Sequence, residues 1–218
     1  MKLLATGNTA EVFDFGDGKV CKLFKTGYPL EYIQMEFNNT VIMNKSPILT
    51  PKVYEIVERD GRYGIIFQKI LGEDLYSEFF KNPSDLEVGF KMLQAVASIQ
   101  KTLSSFETTE GNSYKDYLKV FGYDGTDKLP DGNFVCHGDL HPGNIIKTPE
   151  NELYLIDFMN VCRGPKEYDV AHSYVLLTEN NPDPETPGNA FLQLAGMSYA
   201  QIEPFLEGIR FCREREKV

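Results

Sequence analysis

Several residue types are scarce in this chain of 218 residues, and each scarcity excludes a class of protein. There are three histidines, which leaves few ligands for a zinc site built mainly from histidine. The cysteines are far apart and form no CxxC pair, so we expect reduced and mostly buried thiols and no disulfide framework. These four residues are Cys21, Cys136, Cys162 and Cys212.

Long apolar runs and an excess of positive charge are also missing. No segment approaches the roughly 20 apolar residues that span a bilayer. The opening sequence MKLLATGNTAEVF is interrupted at Thr6 and Gly7, too early for a signal peptide. The formal net charge of −10 repels phosphate backbones, which argues against nucleic acid as a partner. We therefore expect a cytoplasmic protein without membrane or nucleic-acid partners, whose acidic surface would tolerate a cationic ligand.

Gly-rich turns divide the first 70 residues into short strands around a single helix. The predicted strands lie at 2–5, 11–15, 19–24, 53–57 and 63–67. The predicted helix covers 31–44 and carries Ile33, Phe37 and Val41 on one face. This part of the chain therefore indicates a strand-rich lobe over residues 1–70.

The remainder, residues 71–218, reads as a mainly helical lobe after a linker near 69–75. Ser84 is the predicted N-cap of a long helix, with Glu87 closing a capping box. The apolar face of that helix is Leu86, Phe90, Leu93 and Ala97.

Short strands, two further helices and two irregular segments are predicted beyond that helix. The strands are 134–136 and 153–156, a buried helix covers 168–177, and Ser198 opens the last helix, which contains Pro204. Residues 122–132 are predicted to be a loop, and residues 180–189 to be irregular because three prolines interrupt them. The predicted class is α+β with two lobes.

The densest group of polar residues is HGDLHPGN at 137–144, followed by LIDF at 155–158. Asp139 and Asn144 share a loop, and Asp157 follows at the end of an apolar strand. Carboxylate and amide oxygens on neighbouring strand-end loops suit Mg²⁺ and leave room for phosphates. A carboxylate that does not bind the metal can orient a substrate hydroxyl and accept its proton.

This pattern resembles the catalytic and metal loops of the aminoglycoside phosphotransferase and choline kinase superfamily, small-molecule kinases related to protein kinases. The resemblance covers the chain from about Leu4 to Leu177. It implies a bilobal protein-kinase-like fold with a small antiparallel-sheet N-terminal lobe and a helical C-terminal lobe, whose substrate subdomain is reduced here. It also implies transfer of the terminal phosphate of ATP or GTP, with Mg²⁺, to a hydroxyl of a small molecule. Asp139 then becomes the catalytic base or orienting group, and Asn144 and Asp157 become the Mg²⁺ ligands.

The resemblance extends to a lysine and its acidic partner in the first lobe. Lys22 shares a strand face with apolar neighbours, and a charge on such a face needs a partner. The resemblance makes Lys22 the residue that holds the α- and β-phosphates, within reach of Asp157. Glu36 is the preferred helix partner, and Glu31 competes nearer the helix start, where the helix dipole alone explains a carboxylate.

Further nucleotide contacts are expected in one turn and at the hinge between the lobes. The turn has one glycine where protein kinases have three, and its small residues let backbone N–H groups approach phosphates. Adenine would bond to the Gln68 carbonyl and the Ile70 N–H. The turn residues are Gly7, Asn8, Thr9 and Ala10.

Three more residues near the motif are expected to act on the catalytic loop. His137 is expected to support the loop from within. His141 stands where protein-serine kinases usually have a lysine, and either contacts the transferred phosphate or orders the loop. Asp169 is expected to accept backbone N–H bonds from the loop.

Three other functions are alternatives on this sequence. A metal hydrolase would use His137, Asp139 and His141 as zinc ligands. A protein kinase would need an activation segment, for which there is no room after Asp157. A nucleotide-binding pseudokinase is the third alternative, although Lys22, Asp139, Asn144 and Asp157 are all present. The sequence does not identify the molecule that accepts the phosphate. The acidic segment 179–185 suits an amino sugar or amino alcohol, and a neutral sugar is a further alternative.

Overall fold

The computed structural model describes residues 1–216, and its internal contacts divide the chain into two compact units. The first unit contains residues 1–72 and 146–159, and the second contains residues 73–145 and the chain from 160 onwards. The first unit thus includes a segment from far along the sequence, which ends at the residues after Asp157. The lobe boundary near residue 70 stays a prediction.

Ten strands and seven helices form the regular structure of the described residues. The strands are β1 (Lys2–Thr6), β2 (Ala10–Gly16), β3 (Lys19–Phe24), β4 (Val53–Arg59), β5 (Arg62–Gln68), β6 (Glu73–Asp74), β7 (Phe134–Cys136), β8 (Ile145–Lys147), β9 (Leu153–Leu155) and β10 (Cys162–Gly164). The helices are α1 (Leu30–Met43), α2 (Leu75–Lys81), α3 (Leu86–Leu103), α4 (Tyr114–Val120), α5 (Lys166–Thr178), α6 (Glu185–Ala195) and α7 (Tyr199–Glu216).

The first unit is built on an antiparallel sheet in the order β1-β2-β3-β5-β4. Its tight turns pass through Asp17 and Asp60, whose φ angles of 50° and 52° lie in the left-handed region that Asp tolerates better than most residues. Strands β8 and β9 pair with each other. The five strands predicted for this part of the chain are all present, with ends shifted by one or two residues.

Helix α1 packs on β4 and β5 in the first unit. It buries Ile33, Glu36, Thr40 and Met43, a spacing of three and four residues that marks one face. Ile33 packs with residues from the sheet, whereas Val41 is 38% exposed. The predicted helix is confirmed, but its inner face was wrong at Val41 because a polar residue, Glu36, occupies the buried stripe.

The second unit has a helical core in which α5 packs on both α6 and α7. Three aromatic rings meet at its centre: the centroids of Tyr114 and Tyr168 are 4.5 Å apart, and Phe205 lies 6.1 Å from each. Strands β7 and β10 form an antiparallel pair beside this core. The rings tie α4, α5 and α7 together.

The start of α3 corrects two predictions. The N-cap is Asp85, not Ser84, because the Asp85 side chain accepts bonds from the N–H groups of Glu87 and Val88. The predicted apolar face is also wrong in its first two turns, where Leu86 is 88% exposed and Phe90 48% exposed. The buried stripe of α3 begins at Leu93.

Two segments predicted to be irregular contain helix. Residues 124–128 form a 3₁₀ turn. Helix α6 begins at Glu185, so the prediction for 180–189 was wrong in its second half. Pro187 is the third residue of α6, where an N–H has no intrahelical partner and its loss costs little. Helix α7 continues through Pro204 to Glu216, and the last two residues of the predicted polar tail lie outside the described residues.

All four cysteines are buried free thiols, as predicted. Among residues 1–216, no helix combines the length and the apolar character that a membrane span requires.

Candidate active site

Lys22, on β3, is held between two carboxylates of the first unit. Its Nζ lies 2.6 Å from Oε1 of Glu36 and 2.9 Å from Oδ1 of Asp157. The Glu36 side chain is 1% exposed and the Asp157 side chain 44% exposed. Glu31, the competing candidate, is exposed at the start of α1. The structure therefore joins a residue from β3, one from α1 and one from the segment after β9.

Lys22 and its buried partner Glu36 both have shifted pKa values. Burial disfavours the ammonium group, but Asp157 and Glu36 outweigh it and raise the pKa of Lys22 above its ordinary value. Burial raises the pKa of Glu36, and the contact with Lys22 opposes that rise. The second oxygen of Glu36, Oε2, is buried without a hydrogen-bond partner. The lysine is thus a fixed, permanently charged group at neutral pH.

Asp157 is positioned by its backbone and by a residue that the sequence analysis missed. Its φ of 66° is left-handed. Directly after it, the carbonyl oxygens of Phe158 and Met159 accept bonds from Nδ2 of Asn39, at 2.9 and 3.2 Å. Asn39 is buried on α1, the helix that also carries Glu36. An asparagine on the buried face of a helix was the signal that could have identified it, because such a group must find partners.

The residues assigned to the phosphate turn lie between β1 and β2. Gly7, Asn8 and Thr9 are exposed, and the turn is closed by a bond from the Gly7 N–H to the Ala10 carbonyl at 2.8 Å. A Cβ on Gly7 would meet the Ala10 oxygen at 3.4 Å, an ordinary contact.

The two hinge residues fall at the end of β5 and just after it. Gln68 closes the strand, and its N–H donates to the Lys52 carbonyl at 2.8 Å. Ile70 lies two residues beyond, partly buried. Their contacts with adenine remain a prediction.

Asp139 and Asn144 form a second group, in the loop between β7 and β8. Nδ2 of Asn144 donates to the Asp139 carbonyl at 2.9 Å and to Oδ2 of Asp139 at 3.1 Å. With its amide nitrogen committed to Asp139, Asn144 presents its side-chain oxygen as the remaining acceptor. The loop thus fixes the catalytic candidate and one metal-ligand candidate to each other.

The backbone of this loop is anchored by Asp169, as the sequence analysis predicted. Oδ1 of Asp169 accepts the Gly138 N–H at 2.9 Å, and Oδ2 accepts Nε2 of Gln100, also at 2.9 Å. Gly138 has a φ of 70°, and a Cβ there would lie 2.5 Å from the Asn160 oxygen. A glycine is therefore required next to Asp139. Gln100 was missed because its partner lies 69 residues away on another helix.

The two histidines of the loop serve its backbone. Nδ1 of His137, which is fully buried, accepts the Asp139 N–H at 3.2 Å. Nδ1 of His141 accepts the Gly143 N–H at 3.1 Å. Within residues 1–216, no three side chains of His, Cys, Asp or Glu converge in a group able to hold a metal. The zinc-ligand set His137, Asp139 and His141 is accordingly not assembled.

The donors at Asn144 and Asp157 fit the chemistry of Mg²⁺. One offers an amide oxygen and the other a partly exposed carboxylate, and oxygen ligands are what this ion prefers.

A family model described as "Phosphotransferase enzyme family" matches residues 126–205, which include the whole HGDLHPGN loop and Asp157. No protein of curated function matches the sequence.

Solved structures match the fold along almost the whole chain. An aminoglycoside-3'-phosphotransferase of type VIII has a TM-score of 0.69 and 17% identity, with 96% of this chain and 93% of that chain covered. A thermostable mutant of aminoglycoside phosphotransferase APH(4)-Ia, in a ternary complex with ADP and hygromycin B, has a TM-score of 0.70 and 14% identity, covering 99% and 85%. The choline kinase LicA from Streptococcus pneumoniae has a TM-score of 0.63 and 18% identity, covering 100% and 87%.

These matches confirm the resemblance to the aminoglycoside phosphotransferase and choline kinase superfamily. The chain has their protein-kinase-like fold, with an antiparallel sheet in its N-terminal part and helices in its C-terminal part.

Proposed function

We propose that this protein is a small-molecule kinase that transfers the terminal phosphate of ATP or GTP to a hydroxyl group. The observation that carries the proposal is Lys22, held as a charged group between Glu36 and Asp157. A lysine paired with a helix glutamate and a metal-binding aspartate is the arrangement that positions phosphates in kinases. Nucleotide complexes of similar structures, with ADP in one and AMP-PNP in another, support a nucleotide co-substrate.

Each candidate residue has a role in this reaction. Lys22 binds the α- and β-phosphates, and the turn formed by residues 7–10 offers backbone N–H groups to them. Asp139 orients the acceptor hydroxyl and takes its proton, while the new bond from the acceptor oxygen to phosphorus forms and the bond to the departing nucleoside diphosphate breaks.

Asn144 and Asp157 would hold Mg²⁺. When bound, the ion supplies neutralisation of charge on the phosphate oxygens.

The acceptor class follows from charge and from the similar structures. The net charge of −10 suits an acceptor that carries an amine, and one similar structure binds hygromycin B while another is a choline kinase. Glu179, at the start of the acidic segment, is already paired with Arg213 at 2.5 Å, so this segment supports an amine less than its sequence suggests. We propose that the acceptor is an amino sugar or amino alcohol. We also propose that the enzyme acts in the cytoplasm.

A coupled assay of nucleoside diphosphate release tests this function. The panel contains ATP and GTP, with Mg²⁺, and aminoglycosides, choline, other amino alcohols and neutral sugars as acceptors. We expect acceptor-dependent turnover with at least one hydroxyl compound. Nucleotide binding without turnover across the panel would favour the inactive pseudokinase. Absence of both binding and turnover would contradict the kinase proposal.

A further inference from the structure

The roles proposed above leave His141 without a part in the reaction. It lies two residues after Asp139, and its side chain is 24% exposed while that of Asp139 is 26% exposed. Both groups are therefore partly open to a ligand and partly fixed by the loop.

The ring of His141 is held in one orientation by its neighbours. Nδ1 accepts the Gly143 N–H at 3.1 Å, and the ring stacks on Tyr76 with centroids 5.7 Å apart and planes at 26°. Tyr76 in turn stacks on Phe80, with the same centroid separation and planes at 28°. A Cβ on Gly143 would lie 2.8 Å from Cε1 of His141, so the ring also packs directly on the loop. Helix α2 and the loop together leave the imidazole little freedom to turn.

This orientation determines which nitrogen carries the proton. Because Nδ1 accepts a backbone hydrogen bond, the neutral ring has its proton on Nε2. Nε2 lies 3.7 Å from Oδ2 of Asp139, slightly beyond hydrogen-bonding distance. Asn144 already donates to the same oxygen at 3.1 Å. Two side-chain nitrogens, one from Asn144 and one from His141, therefore lie within 3.7 Å of one oxygen of the Asp139 carboxylate.

We propose that His141 is a positioning residue for Asp139. A small movement of the loop on substrate binding brings the Nε2–H of His141 into a hydrogen bond with Oδ2 of Asp139. Catalytic hydrogen bonds are often long before substrate binds and shorten in the reactive complex. Held at Oδ2 by His141 and Asn144, the carboxylate has its plane fixed toward the acceptor hydroxyl. Tyr76 acts one step further out, by keeping the imidazole in place.

The inference rests on the proposed kinase function, and paired variants of His141 test it. His141→Phe retains a ring to stack on Tyr76 but removes the N–H donor, whereas His141→Gln restores a donor without the ring. We expect His141→Phe to lower kcat about ten- to a hundredfold, as for the loss of one hydrogen bond to a charged group. The KM for nucleotide should be unchanged, and His141→Gln should recover part of kcat.

A double-mutant cycle separates action through Asp139 from any other role. In the Asp139→Asn background, His141→Phe should lower kcat no further, because the carboxylate that it positions is gone. Additive losses would overturn the proposal and assign His141 to the phosphate or to folding. A melting temperature for His141→Phe close to that of the wild type, by calorimetry, establishes that the variant still folds.

A measurement that needs no acceptor examines the geometry itself. ¹⁵N NMR of the histidine side chains at neutral pH should show His141 as the Nε2–H tautomer. The Nδ1–H tautomer would overturn the proposal. If the wild type turns over no acceptor and does not hydrolyse ATP, the kinase function fails and this inference with it. If the wild type is active and His141→Phe equals it, only this inference fails.

Discussion

The ammonium group of Lys22 lies 2.9 Å from the carboxylate of Asp157, which follows it by 135 residues. The contact joins the group proposed to hold phosphates to a group proposed to hold Mg²⁺. The carboxylates of Asp157 and Glu36 raise the pKa of Lys22, so the lysine stays charged before a nucleotide arrives. The two residues should nevertheless differ in what their loss does.

Asp157→Asn should abolish most of the Mg²⁺-dependent part of nucleotide binding. The amide keeps the shape but removes the negative charge that a hard cation needs. A ligand specific to the native state raises the melting temperature, so thermal shifts with ATP in Mg²⁺ and in EDTA measure the effect. Equal shifts of the wild type in the two buffers would rule out the metal assignment.

Asp139→Asn should leave nucleotide affinity nearly intact and lower turnover by about 10²–10⁴-fold, the usual contribution of a general base. The phosphate clamp at Lys22 and Asp157 is untouched by this change. Thermal shift with Mg·ATP and a turnover assay on the same preparation test both halves of the expectation. Wild-type turnover in the variant would make Asp139 a loop-structuring residue.

Glu36→Gln should lower kcat/KM for nucleotide by roughly ten- to a hundredfold, because Lys22 loses one of its two ionic partners. Glu31→Gln is the matched control, being the same change on an exposed position of the same helix. Steady-state kinetics with varied ATP compares them. If both variants behave alike, the buried pair has no part in nucleotide use.

Asp169→Asn should destabilise the protein by about 2–3 kcal/mol. Both carboxylate oxygens accept hydrogen bonds, so the amide would set an N–H group against the donor of Gly138 or Gln100. Glu167→Gln, two residues earlier on α5, is the control and should cost less than about 1 kcal/mol. Urea unfolding of the two variants provides the comparison. Equal midpoints would mean that the Asp169 anchor adds nothing to stability.

His172 should make the fold sensitive to acid. It is fully buried, neither ring nitrogen has a partner, and burial together with the positive charge of Arg213 lowers its pKa to about 3. A lowered pKa means that the neutral form is the folded one. Its contribution is therefore complete above pH 6.5 and is lost as the pH falls from 6.5 towards 3.

The difference between wild type and His172→Phe isolates this residue, because other titrating groups are common to both. The wild-type stability should fall below pH 6.5 more steeply than that of the variant, by at most about 1.4 kcal/mol per pH unit. Parallel pH profiles from urea unfolding would contradict the assignment.

The sequence predicted those features that depend on local pattern. Alternation and Gly-rich turns located the strands of the first unit, and the fixed spacing of Asp139, Asn144 and Asp157 identified the candidate site. The contact of Lys22 with the distant Asp157 was predicted through the family resemblance, but the contact made by Asn39 was not predicted. Asn39 supports the backbone after Asp157 from 119 residues away, and no local pattern reports such a contact.

Local rules also failed where two solutions were available. Ser84 and Asp85 are both good N-caps, and only the backbone geometry selects Asp85. The prolines near residue 185 forbid a helix interior but are tolerated in a first turn, which is where α6 places Pro187. The roles of Gly7, Gln68 and Ile70 rest on backbone contacts, which leave little mark on a sequence.

The four buried thiols make the protein convenient to label. Burial raises the pKa values of Cys21, Cys136 and Cys212, which keeps these side chains protonated and poor nucleophiles toward maleimides. A cysteine introduced at an exposed position such as Thr26 would then be the only readily reactive thiol among the described residues. A single fluorescent dye could thus be attached without first removing the native cysteines.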